Sequence, residues 1–221
     1  MRRVPLVALA VAFAAACSSE SGRSPAQPES ITVPIRVTTA QNAGEANNHS
    51  VHLSGGQEVF TPAPGAPSPA DSNAQGQAIV QIARDGESFD YKLIVSNIEN
   101  VVQAHIHCAP EGVNGPIVVW FYPSKTATGA LTGPTGRHDG VLIEDTIAPS
   151  NVRTFTVNAA NTSACPVATP GAPTFAEVLE KLRSGGAYVN VHTNDGATPT
   201  NTGPGDFPGG EVRGQFKGRP N

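Results

Sequence analysis

Apolar residues fall on every second position over short stretches of this chain, and clusters of Gly, Pro, Asn and Asp separate those stretches. Ala78, Val80 and Ile82 share one parity, Phe89, Tyr91 and Leu93 share one parity of the next stretch, and Asp85-Gly86-Glu87 lies between them. A period of two with a Gly-containing turn between predicts a β-hairpin. The same pattern predicts strands at Ser50 to Ser54, Gln75 to Arg84, Ser88 to Ser96, Val101 to His107, Ile117 to Tyr122, Gly140 to Thr146, Arg153 to Asn158, Ala187 to Thr193 and Glu211 to Lys217. Ile31 to Val37 reads as an added edge strand, because Pro34 lacks a ladder donor. One segment has the period of a helix instead. Thr174 and Glu177 form a capping box, Phe175, Val178, Leu179 and Leu182 make an apolar stripe, and Gly185-Gly186 stops it. The expected fold is all-β: an antiparallel, Greek-key-like β-sandwich with one short helix near the C-terminal third, its stripe sealing one end of the core.

The ends of the chain read differently. Arg2 and Arg3, an apolar stretch from Val4 to Ala16 and then Cys17 read as an export signal, its apolar stretch shorter than a membrane span needs. Ala14-Ala15-Ala16-Cys17 resembles a bacterial lipobox, with Ala14 where Leu is usual. That resemblance implies a lipid on Cys17 and a tether from Ser18 to Ser30, and hence an exported, lipid-anchored protein of the cell envelope, periplasmic or at the outer surface. The alternative is a plain secretory signal that leaves Cys17 free or discards it. The expected division is a signal peptide over 1–16, a tether over 17–30, one domain over 31–217 and a tail over 218–221.

Formal charge is −4 for the whole chain and becomes about −6 once Arg2 and Arg3 leave with the signal. An acidic chain with few aromatics and no basic block is a poor nucleic-acid binder. The expected partners are therefore the membrane, through the anchor, and a protein or envelope ligand that the sequence does not name. Beyond Cys17, Cys108 and Cys165 remain. An even pair in an oxidising compartment suggests one disulfide. Cys108 also follows His107 directly, so it is weighed as a metal ligand. A regular strand would turn it away from the face of His105 and His107, which favours the disulfide.

Gln103-Ala104-His105-Ile106-His107-Cys108 carries the most chemistry. On a strand His105 and His107 project from one face, opposite Ala104 and Ile106. Ala187-Tyr188-Val189-Asn190-Val191-His192-Thr193 repeats that grammar, with Tyr188, Asn190 and His192 opposite Val189 and Val191. Two readings follow. His105, His107 and His192 hold copper or zinc, since imidazole suits both metals, or they hydrogen-bond to loop backbone, Asn190 and Glu211. Glu211 and Arg213 share a face of the last strand and read as solvated; Glu58 reads as a structural contact near Gly55-Gly56. Trp120, Phe121, Tyr122 and Tyr188 read as core, and His49 and His138 as exposed loop residues. No phosphate loop, Cys-x-x-Cys or Ser/His/Asp nucleophile motif is present.

Four ordered landmarks resemble a known module. They are His52-Leu53-Ser54-Gly55-Gly56-Gln57-Glu58-Val59, Ala104-His105-Ile106-His107 with Asn114-Gly115, Gly186 to Thr193, and Gly210-Glu211-Val212-Arg213-Gly214-Gln215. Together, over roughly His52 to Phe216, they resemble the CHRD domain, named after chordin and frequent in bacterial secreted and lipid-anchored proteins. The resemblance implies a β-rich extracellular module with a non-catalytic binding or structural role, and no catalytic residue. The His-x-His pair is also similar to that of copper/zinc superoxide dismutase, which implies the alternative: a copper- or zinc-binding protein with dismutase-like redox chemistry at His105, His107 and His192.

Overall fold

The computed structural model of the protein describes residues 47–218. Within them the chain forms β1 (Asn48–Ser54), β2 (Gln75–Ile82), β3 (Phe89–Glu99), β4 (Val101–Cys108), β5 (Ile117–Tyr122), β6 (Arg137–Ile147), β7 (Ala187–Thr193) and β8 (Val212–Gln215). Two helices, α1 (Ala159–Ala164) and α2 (Phe175–Ser184), lie between β6 and β7. All eight strands join one antiparallel sheet in the order β5-β4-β7-β8-β1-β2-β3-β6. The expected all-β fold with a short helix is thus present. The sheet is continuous and curls on itself: Tyr91 of β3 stacks on Phe121 of β5 at 3.9 Å between ring centroids, and its hydroxyl donates to the Phe121 carbonyl at 3.1 Å. Those two strands stand far apart in the sheet order, so their contact closes the apolar core.

Burial follows the alternation on one half of the sheet and overrides it on the other. In β2 exposed and buried residues alternate without exception, with Ala78, Val80 and Ile82 inward. In β7 every residue is buried, and β4 leaves only Gln103 partly open. A strand buried on both faces needs a second layer over its outer side. Loops supply that layer here, and the polar side chains of β4, β7 and β8 lie beneath them.

Helix α2 matches its sequence signature. Thr174 accepts the Glu177 amide, Glu177 accepts the Thr174 amide in return, and Gly185 ends the helix with φ +86°. Phe175, Val178, Leu179 and Leu182 are all buried, and Phe175 stacks on Phe89 of β3. Cys108 at the end of β4 is bonded to Cys165 just after α1, across 57 residues. Closing a loop of that length removes unfolded-state entropy worth roughly 4 kcal/mol in the chain-entropy model.

Two expectations need correction. Residues Arg153 to Asn158 do not form a strand: Val152 makes one isolated bridge to Val119, and the Arg153 amide donates to the Val118 carbonyl. The chain crosses the outer edge of β5 there and leaves it to enter α1, where the Asn158 side chain caps the Asn161 amide. Helix α1, Ala-Ala-Asn-Thr-Ser-Ala, was not anticipated because it has no apolar stripe to announce it. His49 and His138 are half-buried, His49 against the Phe216 ring and His138 against the Val141 carbonyl. The edge strand at Ile31 to Val37, Cys17 and the tether lie outside the described residues.

Leu182 is fully buried, so Leu182→Ala should destabilise the domain by about 2 to 5 kcal/mol. Urea unfolding followed by tryptophan fluorescence measures it, and a loss within experimental error would show that α2 does not seal the core.

Candidate metal centre

The register of β4 on β7 creates the site. His105 lies opposite Asn190, His107 opposite Tyr188, and His192 opposite Gln103. Directly paired residues share a face in an antiparallel sheet. His105, His107, Tyr188, Asn190 and His192 therefore form one patch, and Arg213, opposite Asn190 on β8, extends it. All of them are buried: His105, His107 and His192 retain 0%, 8% and 6% exposure.

Each histidine ring is oriented by its own contacts. His107 Nδ1 donates to the Gly115 carbonyl at 2.8 Å, and His192 Nδ1 donates to the Pro208 carbonyl at 2.8 Å. A carbonyl only accepts, so both Nδ1 atoms carry the proton and both Nε2 atoms keep a lone pair. His192 Nε2 lies 3.3 Å from His105 Nδ1 and 3.0 Å from Asn190 Oδ1. The Nε2 atoms of His105 and His107 are buried without a hydrogen-bond partner among the described residues. One ring nitrogen from each histidine lies within 4.8 Å of the other two. Two nitrogens bound tetrahedrally to one zinc ion at about 2.0 to 2.1 Å stand about 3.3 Å apart. The His105 to His192 spacing already has that value, and His107 needs a closer approach.

Burial also keeps the rings uncharged. It pulls the pKa of His107 down to about 3 and of His192 down to about 4. His105 is pulled far below the ordinary range, first by burial and then by the neighbouring His192 and His107. Neutral imidazole is the form that binds metal. The donor set therefore fits a copper or zinc ion in protonation state and in one of its three spacings.

The surrounding groups hold this patch in place. Tyr188 stacks on His107 with centroids 4.8 Å apart and planes 6° from parallel, and the Arg213 guanidinium carbon sits 3.4 Å from the centre of the Tyr188 ring. Arg213 donates to Asn114 Oδ1 and the Val113 carbonyl, both at 3.0 Å, which ties β8 to the loop after β4. The Gly115 amide donates to the Tyr188 hydroxyl at 3.2 Å. A side chain at position 115 is impossible there, since its Cβ would stand 2.0 Å from the Cys108 carbonyl oxygen. Trp120 of β5 closes the other side, edge-on to His105 at 4.2 Å. Under the loop preceding β8, Glu211 is fully buried and accepts from Ser72 Oγ at 2.5 Å, Thr193 Oγ1 at 2.7 Å and the Gly205 amide at 2.9 Å.

The solvated reading of Glu211 and Arg213 is therefore wrong: both are interior anchors. Their strand parity was right, but nothing local in the sequence reveals the covering loops. Of the two side chains expected beside the histidines, Asn190 lies with Oδ1 3.0 Å from His192 Nε2, and Glu211 instead holds the loop around Gly205. Cys108 is spent in its disulfide, so the sulfur is removed from the list of ligands. Glu58 was underrated. Its Oε1 is buried without a hydrogen-bond partner among the described residues, and burial raises its pKa to about 8 against the opposing pull of Arg213 and Asn190.

The family model of the CHRD domain matches residues 49–216. The chain belongs to that family, as its ordered landmarks implied. Neither a curated protein nor a solved structure matches the chain.

Glu58 generates a pH prediction. Its folded pKa of about 8 lies above the usual 4.5, so the folded state holds a proton that the unfolded chain has released. The resulting stability is fully present below 4.5 and is lost as pH rises through 8. The buried histidines act in the opposite sense, losing stability as pH falls below about 6.5. Urea midpoints measured from pH 7 to 9 should therefore fall for the natural protein and stay nearly level for Glu58→Gln. Parallel declines in both proteins would mean that Glu58 ionises normally.

Proposed function

We propose that this CHRD-domain protein is an exported, lipid-anchored module of the cell envelope that binds a transition-metal ion, copper or zinc, between His105, His107 and His192. One observation carries the metal reading: ring nitrogens from three buried histidines converge, and the His107 ring is held by a carbonyl so that its Nε2 lone pair remains available. A structural polar cluster would be expected to use such a lone pair on an internal donor. The His107 Nε2 atom is instead buried without one among the described residues. The histidine partners at Gly115 and Pro208 are the outer supports that metal-binding imidazoles commonly have. The role is binding, and no catalytic step is assigned to these residues.

Export and anchoring are supported by the signal-like N-terminus and by the Cys108–Cys165 disulfide, which suits an oxidising compartment. The lipid on Cys17 would hold the domain at the membrane through the stretch Ser18 to Ser30.

Elemental analysis of protein purified without a histidine tag, before and after incubation with copper or zinc and desalting, tests the metal. About one ion per chain is expected, falling below about a tenth in His105→Ala/His107→Ala. Equal retention by that variant, or no retention by the natural protein, would leave the histidines as internal packing residues. Fractionation of producing cells tests the anchor separately: Cys17→Ala should move the domain to the soluble fraction or leave the precursor unprocessed. Unchanged membrane retention of a processed variant would refute lipidation.

A further inference from the structure

The charge balance around the three histidines narrows the choice of ion. No carboxylate joins the cluster: among the described residues the group consists of His105, His107 and His192 alone. The groups that orient the rings are neutral as well, namely the carbonyls of Gly115 and Pro208 and the amide of Asn190. The Glu211 carboxylate is occupied by Ser72, Thr193 and Gly205. Two ionisable side chains flank the cluster: Arg213 lies on the far face of Tyr188, whose near face covers His107, and Glu58 is a buried carboxyl beside Arg213 and Asn190 that burial holds toward its protonated form.

A divalent ion held by three neutral imidazoles keeps its full double charge. Zinc with three histidines also takes a fourth ligand, commonly water or hydroxide. Such a water needs space and further polar partners. These rings retain at most 8% exposure, beneath Trp120 on one side and the loop carrying Pro208 on the other. Monovalent copper has half the charge to compensate beside Arg213. As a closed-shell ion it accepts two or three imidazoles in linear or trigonal arrangement and needs no bound water.

Resting on the metal-binding reading above, we infer that the ion selected by this cluster is copper(I), held by His105, His107 and His192 without a water ligand, in preference to zinc. The selectivity comes from the absence of a carboxylate among the converging donors, from the enclosure that leaves a water ligand no place, and from the guanidinium stacked behind Tyr188.

Anaerobic competition separates the possibilities. The untagged chain is titrated with copper(I) against a bathocuproine chelator of known affinity, and with zinc against a chromogenic zinc chelator. Copper(I) should bind at least a thousandfold more tightly than zinc, and X-ray absorption of the copper complex should show two or three nitrogen scatterers without an added oxygen. Arg213→Gln should narrow the preference by raising zinc affinity more than copper(I) affinity. Should that variant fold poorly, the comparison within the natural protein decides alone. Zinc affinity within tenfold of copper(I) would overturn the inference and leave the metal centre standing. Failure of both ions to bind would remove the metal centre itself, and this inference with it.

Discussion

Burial of β4 and β7 on both faces is the constraint around which the molecule is arranged. Their inner faces present Ala104, Ile106, Val189 and Val191 to the apolar core. Their outer faces present histidines, Asn190 and Tyr188, which the loops carrying Gly115 and Pro208 then cover. Burying polar side chains is costly unless each finds a partner. The covering loops serve that need with backbone groups: Gly115 and Pro208 accept from histidines, Val113 accepts from Arg213, and Ala109 and Gly185 accept from Gln215. The loops and the polar face thus depend on each other.

This mutual dependence explains why the polar layer is built from neutral or internally balanced groups. The histidines are buried uncharged, Glu58 is shifted toward its protonated form, and Glu211 is surrounded by three donors. Arg213 keeps its charge by combining a Tyr188 ring face with carbonyl and amide acceptors. A guanidinium can do this because it is planar, weakly hydrated and rich in donors. Within this layer the Nε2 atoms of His105 and His107 and Glu58 Oε1 are buried without a hydrogen-bond partner among the described residues. Such atoms in a buried network are where a ligand is to be sought.

The remaining architecture supplies rigidity. The sheet closes through Tyr91 on Phe121, α2 seals one end, and the disulfide ties the end of β4 to the segment after α1. Cys108 directly follows His107, so the covalent tie holds the strand that carries two of the three histidines. A donor cluster needs this kind of support, since metal–ligand bonds tolerate errors of only a few tenths of an ångström.

Much of this was legible in the sequence for physical reasons. Residue periodicity is a local property: strand patterning located β5 and β7 to the residue, and the helical stripe with its capping box located α2 to within a residue of its cap. Strand parity likewise placed His105 with His107, and Tyr188 with Asn190 and His192, because it needs no knowledge of neighbours. The ordered landmarks identified the CHRD family for the same reason. Strand order and register, by contrast, depend on pairings between segments more than eighty residues apart, such as His105 with Asn190. Only those pairings bring the three rings together. The loops over the outer face were equally illegible: their Gly-, Pro- and Thr-rich composition describes a solvated spacer as well as a cover. The tertiary structure alone decided that Arg213 and Glu211 are interior, since an outward parity means solvent on one half of this sheet and a second, polar interior on the other.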